Sequence, residues 1–163
     1  MVAASSQQGQ QLWRIREAMV EAQKFEGGSI KHDISVAVSQ VAECIERLIP
    51  AVERRIEGCR PLAFGHVGDG NIHFNVSEPP RADYKTDAQI TKAFMARRLE
   101  VNDLVHGVVA DMGGSISAEH GIGILKRDEL TRYKSAVALD LMRAVKRALD
   151  PDDVMNPGKI LKV

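Results

Sequence analysis

Residues 65–73, GHVGDGNIH, gather three glycines, two histidines, an aspartate and an asparagine in nine positions. Neutral imidazoles are ligands for zinc and similar divalent metals. A glycine turn can bring two of them onto one surface. With Asp69 and Gly70 as the central pair of a type I′ hairpin turn, His66 falls opposite His73 and Phe64 opposite Asn75. Directly opposed residues share a face with Cβ atoms roughly 4.5–5.5 Å apart. The expected product is a pair of imidazoles side by side, with the Asn75 amide next to them.

A second stretch, SAEHGIG at 117–123, supplies Glu119 and His120 together. Neighbours on an extended segment point to opposite sides, so both reach one cavity only if the chain bends at Gly121. Two histidines and one carboxylate leave coordination positions open, as a catalytic metal site requires. By residue type Glu119 is the better ligand. His120 is the better base, because imidazole is the side chain that exchanges protons near neutral pH. The types alone leave plainer readings open: histidines beside a turn also serve polar packing, and a Glu-His pair also caps helices. His32 and His106 are assigned no role.

These residues must be held by a folded frame. The chain has 163 residues, 44% apolar and 27% charged, enough for one domain with a real core. Lys+Arg and Asp+Glu each number 22, and a net charge of zero argues against nucleic acid as a partner. No apolar run approaches the roughly 20 residues of a membrane span, and the first residues do not form a signal peptide. Cys44 and Cys59 lack the spacing of a metal or disulfide framework; free thiols and a cytoplasmic location are expected.

Residues 1–10 are polar and are expected to form a flexible N-terminus, with a single domain from 11 to 163. Periodicity predicts a helix over 11–25 with Leu12, Ile15, Met19 and Ala22 as its core stripe. A strand over 29–38 follows, then a helix capped by Ser39, with Val41, Ile45, Leu48 and Val52 inward and Pro50 as a kink. The hairpin comes next. A long helix over 87–112 is ended by Gly113-Gly114, and a last helix covers 127–149. Helices and antiparallel strands around one core define an α+β fold.

Three segments, GHVGDGNIHFNV, ISAEHGIGILK and LDPDDVMNPGKIL, resemble in order and spacing the C-terminal domain of FAD-linked 2-hydroxyacid dehydrogenases. That family includes D-lactate dehydrogenases, the glycolate oxidase flavin subunit and D-2-hydroxyglutarate dehydrogenase. The resemblance runs from about Leu12 to Leu161. It implies a ferredoxin-like substrate domain, incomplete at its N-terminus, with an antiparallel sheet and packed helices. It also implies a partner domain or subunit that binds FAD, so the chain is expected to be a fragment that is inactive alone and exposes a sheet edge suited to a homodimer.

Carried over by motif, His66, His73 and Glu119 become ligands of a divalent metal, zinc by the family's habit. His120 becomes the base, and Asn75 a substrate-contacting amide. Arg16 pairs with the substrate carboxylate, Lys31 reaches the far end of the substrate, and Asn156 approaches the flavin. Val20 stands where the hydroxyglutarate branch resembles a threonine, which weakens the case for a second substrate carboxylate. The implied reaction oxidises a small 2-hydroxy acid, of the lactate, glycolate or 2-hydroxyglutarate class, to the 2-keto acid. A metallohydrolase using the same three ligands, and a non-catalytic remnant or docking module, are the alternatives.

Overall fold

In a computed structural model describing residues 2–25, 27–80 and 87–162, helix α1 (Ser6–Ala22) comes first. The Ser5 hydroxyl caps it, accepting from the Gln8 amide at 3.2 Å. The helix thus starts well before the expected residue 11. Its apolar stripe does not enter the core: Ile15 is 63% and Met19 49% exposed. The cause is placement, since α1 lies against the polar side of the sheet described below. The side chain of Val20 lies outside the described set.

Strands β1 (Ser29–Ser35), β2 (Arg60–His66) and β3 (Asn71–Ser77) form an antiparallel sheet in the order β1-β3-β2. Helix α2 (Val41–Arg55) connects β1 to β2. Helices α3 (Ala88–Ala96) and α4 (Arg98–Asp111) follow β3, and the chain then returns to the free edge of β1 in a single antiparallel bridge, Ser35 to Ser115. This is the βαββαβ succession of a ferredoxin-like domain with its last strand reduced to one bridge. Helices α5 (Arg127–Tyr133) and α6 (Ala136–Leu149) and a turn-rich tail complete the described chain.

The period-2 alternation of β1 and β3 divides the sheet cleanly. Ile30, Ile34, Ile72, Phe74 and Val76 point to one face. There they meet Val41, Cys44, Leu48 and Val52 of α2 and Val101, Val105 and Val109 of α4 in one buried cluster. Both cysteines are free and buried. A second, smaller cluster, Leu130, Leu139 and Leu161, ties α5 and α6 to the tail.

Several boundaries depart from the periodicity reading. β1 ends at Ser35, and residues 38–40 form a 3-10 turn that leaves Val38 half exposed. Ser39 does not cap α2, whose N-cap position is Gln40 and carries no side-chain cap bond. α2 runs through Pro50 as one assigned helix. The expected helix over 87–112 breaks at Arg97, where ψ is 3° and the amide bonds back three residues to Phe94 instead of four. The Arg97 side chain donates to the Arg55 carbonyl at 2.9 Å and to Glu100, so the break sits where α3 and α4 meet the end of α2. The last helix divides likewise, at Lys134–Ser135, with the Ser135 hydroxyl capping α6.

One buried polar group interrupts the apolar face. His32 is 2% exposed; its Nδ1 donates to the Phe74 carbonyl at 2.9 Å and its Nε2 lies 3.1 Å from the Asn102 amide oxygen. Asn102 donates in turn to Glu129, which also accepts from His106 Nδ1 at 2.5 Å. This network bonds α4 to α5. Burial holds the His32 imidazole down to about 4 and also depresses His106. The unfolded chain therefore binds protons that the fold excludes. Stability should be fully present above the unfolded value of about 6.5 and fall as pH drops toward the folded value of about 4. His32 contributes about 3 kcal/mol of that fall. Urea unfolding between pH 7 and pH 4 measures it, and a His32 ring that titrates near the unfolded value by NMR would contradict it.

Candidate active site

The face of the sheet opposite the core is polar, and its register lines up three rows. Lys31, Asn75 and Leu62 form one, Asp33, His73 and Phe64 the next, and Ser35, Asn71 and His66 the third. The turn between β2 and β3 sets this register. Instead of a two-residue type I′ turn it is a four-residue loop, Val67–Gly70, opening as a 3-10 turn. The Asp69 carboxylate accepts from the Asn71 amide at 3.0 Å, so Asp69 closes the loop and does not sit at its tip. Gly70 has φ +79, and a Cβ there would stand 2.0 Å from the Val36 carbonyl oxygen. Only glycine allows that approach.

The expected opposition of His66 to His73 is therefore corrected: His66 faces Asn71, and His73 faces Phe64. The slip is two residues, which keeps His66, His73 and Asn75 on the predicted face. The two imidazoles are diagonal neighbours. His73 packs against Phe64 with ring centroids 5.1 Å apart.

The Glu119–His120 segment reaches the same face through Asp33. After the Ser115 bridge, one oxygen of the Asp33 carboxylate, Oδ2, accepts from the backbone amides of Ala118, Glu119 and His120 at 3.0, 3.0 and 2.8 Å, and from the Ser117 hydroxyl at 3.3 Å. Gly121 turns the chain with φ +77. Glu119 and His120 both end up on the cavity. Glu119 Oε1 is 3.0 Å from His73 Nε2, and the His120 and His73 rings stack with centroids 5.4 Å apart. Burial raises the Asp33 carboxyl, but the amides of His120 and Glu119, with the nearby charges of His120 and Lys126, outweigh it and leave the group below its usual range.

A cavity of about 430 Å³ opens here, lined by seven predicted site residues: Arg16, Lys31, His66, His73, Asn75, Glu119 and His120. α1 supplies Arg16, whose guanidinium lies 5.7 Å from the Phe64 ring centroid, a cation–π distance. Asn75 is buried, and its Nδ2 donates to the Gln23 side-chain oxygen at 2.6 Å. Asn156 is not brought in. It lies on the tail with φ +52, beside an apolar groove of about 500 Å³ along α6.

Asp33, His73, Glu119 and His120 each place one donor atom within a common 4.8 Å. Imidazole and carboxylate are donor types that suit zinc, and His73 and Glu119 offer theirs 3.0 Å apart, with Asp33 and His120 beside them. The second oxygen of Asp33, Oδ1, is buried without a hydrogen-bond partner, and His73 Nδ1 is 3.6 Å away. The site thus fits a divalent cation. His66 shares the cavity but falls outside this foursome. Asp33 and Gln23 were not foreseen. The signal for Asp33 was its alternation with Lys31 in IKHD, which places both on the face away from the core.

This fold and this site define a class. Residues 1–160 match the family of FAD linked oxidases, C-terminal domain, and the chain belongs to it. Its relatives include D-2-hydroxyglutarate dehydrogenases. The chain is 38% identical to that of Stutzerimonas stutzeri (strain A1501) over 98% of its own length and 33% of the relative. It is 35% identical to the Xanthomonas citri pv. viticola protein over 99% and 33%, and 33% identical to the mitochondrial Danio rerio protein over 98% and 27%. The chain spans about a third or less of the relatives it matches.

Zinc incubated with the purified chain should be retained at about one ion per chain, as mass spectrometry reads it. His73→Ala should abolish retention. Retention that survives His73→Ala but not His66→Ala would show that the ion uses the hairpin tip instead.

Proposed function

We propose that the chain is the substrate-binding part of an FAD-dependent dehydrogenase that oxidises a D-2-hydroxy acid to the 2-keto acid. The observation that carries this is the convergence of His73, Glu119 and His120 with two cationic side chains, Arg16 and Lys31, on one cavity. A metal donor set beside paired cations suits an anionic hydroxy acid. Two cations suit a dicarboxylate, and a 2-hydroxyglutarate-class substrate agrees with the names of the relatives.

When bound, a divalent metal held by His73 and Glu119, with His66 in reach of the same cavity, would polarise the substrate hydroxyl, and a flavin on the FAD-binding partner would accept the C2 hydride. The chain's own residues do the rest. Arg16 holds the substrate carboxylate as a bidentate pair, and Lys31 meets the far end. Asn75 gives one amide N–H to Gln23 and keeps its second N–H for a substrate oxygen. His120 takes the hydroxyl proton at Nε2, because its Nδ1 faces Asp33 Oδ2 at 3.8 Å. The imidazolium that forms lies beside that carboxylate and is stabilised by it. Cys44 and Cys59, thiols that burial pushes up, suit a reducing cytoplasm.

With no flavin supplied, residues 1–163 by themselves should not turn over 2-hydroxy acids. In the complete flavoenzyme His120→Ala should lower kcat by roughly 10²-fold or more, the scale of a positioned base. Arg16→Ala should act mainly by raising KM. An unchanged kcat in His120→Ala would remove His120 from this role.

A further inference from the structure

We infer that Asp33 is a positioning residue that sets both halves of the metal-and-base constellation, an inference that rests on the functional reading above. Its carboxylate is 2% exposed and divides its two oxygens between separate tasks. Oδ2 gathers the amides of Ala118, Glu119 and His120 and the Ser117 hydroxyl, and so fixes the backbone from which Glu119 and His120 project. Charge-assisted hydrogen bonds of this kind are roughly twice as strong as neutral ones, and three amides share this one. Oδ1 has no hydrogen-bond partner and looks toward His73 Nδ1 at 3.6 Å.

That second oxygen decides which nitrogen of His73 carries its proton. His73 lies between two carboxylates, with Glu119 Oε1 3.0 Å from Nε2. Distance alone would put the proton on Nε2. Burial argues the other way. Glu119 is 49% exposed, so water can satisfy its oxygens, whereas Asp33 Oδ1 has no such outlet. Leaving a buried charged acceptor unsatisfied costs more than the net worth of a half-exposed contact. The Nδ1–H form turns its lone pair away from the buried carboxylate and toward Glu119, a half-exposed carboxylate whose charge water can screen. The Nε2 lone pair is then left to look toward Glu119 and the cavity, the orientation a metal-ligating histidine takes when a carboxylate holds its other nitrogen.

The experiment uses the purified chain as wild type, Asp33→Asn and Glu119→Ala. Asparagine keeps the size of the side chain and removes the charge. Asp33→Asn should speed amide hydrogen exchange at residues 118–120 by about 10-fold or more while leaving Ile72 and Phe74 unchanged. It should weaken zinc binding 10- to 100-fold, the usual loss for an outer-shell partner of a ligand. Glu119→Ala should weaken zinc binding without touching the exchange of the 118–120 amides.

Long-range proton–nitrogen NMR of the wild type, which needs no variant to fold, should find the His73 proton on Nδ1. Unchanged exchange at 118–120 in Asp33→Asn, or a wild-type His73 protonated on Nε2 alone, would overturn the inference. If wild type binds no zinc while exchange and tautomer come out as stated, the metal reading fails and the positioning role stands. Equal zinc affinity for wild type and Asp33→Asn, with the loop unmoved, has the opposite meaning.

Discussion

A carboxylate taken out of water is costly unless donors replace its lost hydration. Asp33 meets this constraint by recruiting three consecutive backbone amides from a segment more than eighty residues away in sequence. The recruitment gives the site its shape. The sheet contributes His73, His66, Asn75 and Lys31 through strand alternation alone, but strands cannot deliver Glu119 and His120. Those two residues follow a single bridge at Ser115 on the edge of β1, a thin attachment for chain that must hold chemical groups in place. The amide cluster around Asp33 reinforces it. Gly121 then lets the chain turn away with both side chains still on the cavity.

The two faces of the same sheet use histidine in opposite ways. On the core side His32 and His106 are buried and lowered by desolvation, and Glu129 of α5 accepts from Asn102 and His106 of α4, which ties α5 to α4. On the other side His73 and His120 stack at the wall of an open cavity with carboxylates within reach. The residue type is shared; packing above the sheet makes the difference. α2 and α4 cover the first face with aliphatic side chains, and α1 with the turn after it brings Arg16 and Gln23 over the second.

Much of this was readable from local pattern. Strand alternation in SIKHDIS and NIHFNVS predicts which side chains share a face, and the glycine-rich turn between two strands predicts the hairpin. His66, His73, Asn75, Glu119 and His120, which turn and motif chemistry single out, line one cavity; Arg16 and Lys31, named only by the family resemblance, line it too. What escaped is long-range. The helix breaks at Arg97 and Ser135 answer to contacts with α2 and to a serine cap, while the apolar period runs on through both. The stripe of α1 reads as core, yet the helix lies over a polar face that no window of its own residues reveals. Asp33 and Gln23 matter because of partners 85 and 52 positions away, which no local spacing encodes.

The loop at Val67–Gly70 has a consequence for how such a site changes through evolution. Side chains on a strand alternate with period two. A two-residue slip of β2 along β3, taken up by this loop, would return every side chain to its own face. His66 would then travel along the cavity wall in steps of two residues, past a fixed His73, while Ala63 and Pro61 stayed on the core side. A one-residue slip in register would instead drive the imidazole into the aliphatic core. Register slips in even steps would thus change the distance between two imidazoles while keeping each side chain on its face, and odd slips are opposed by the core.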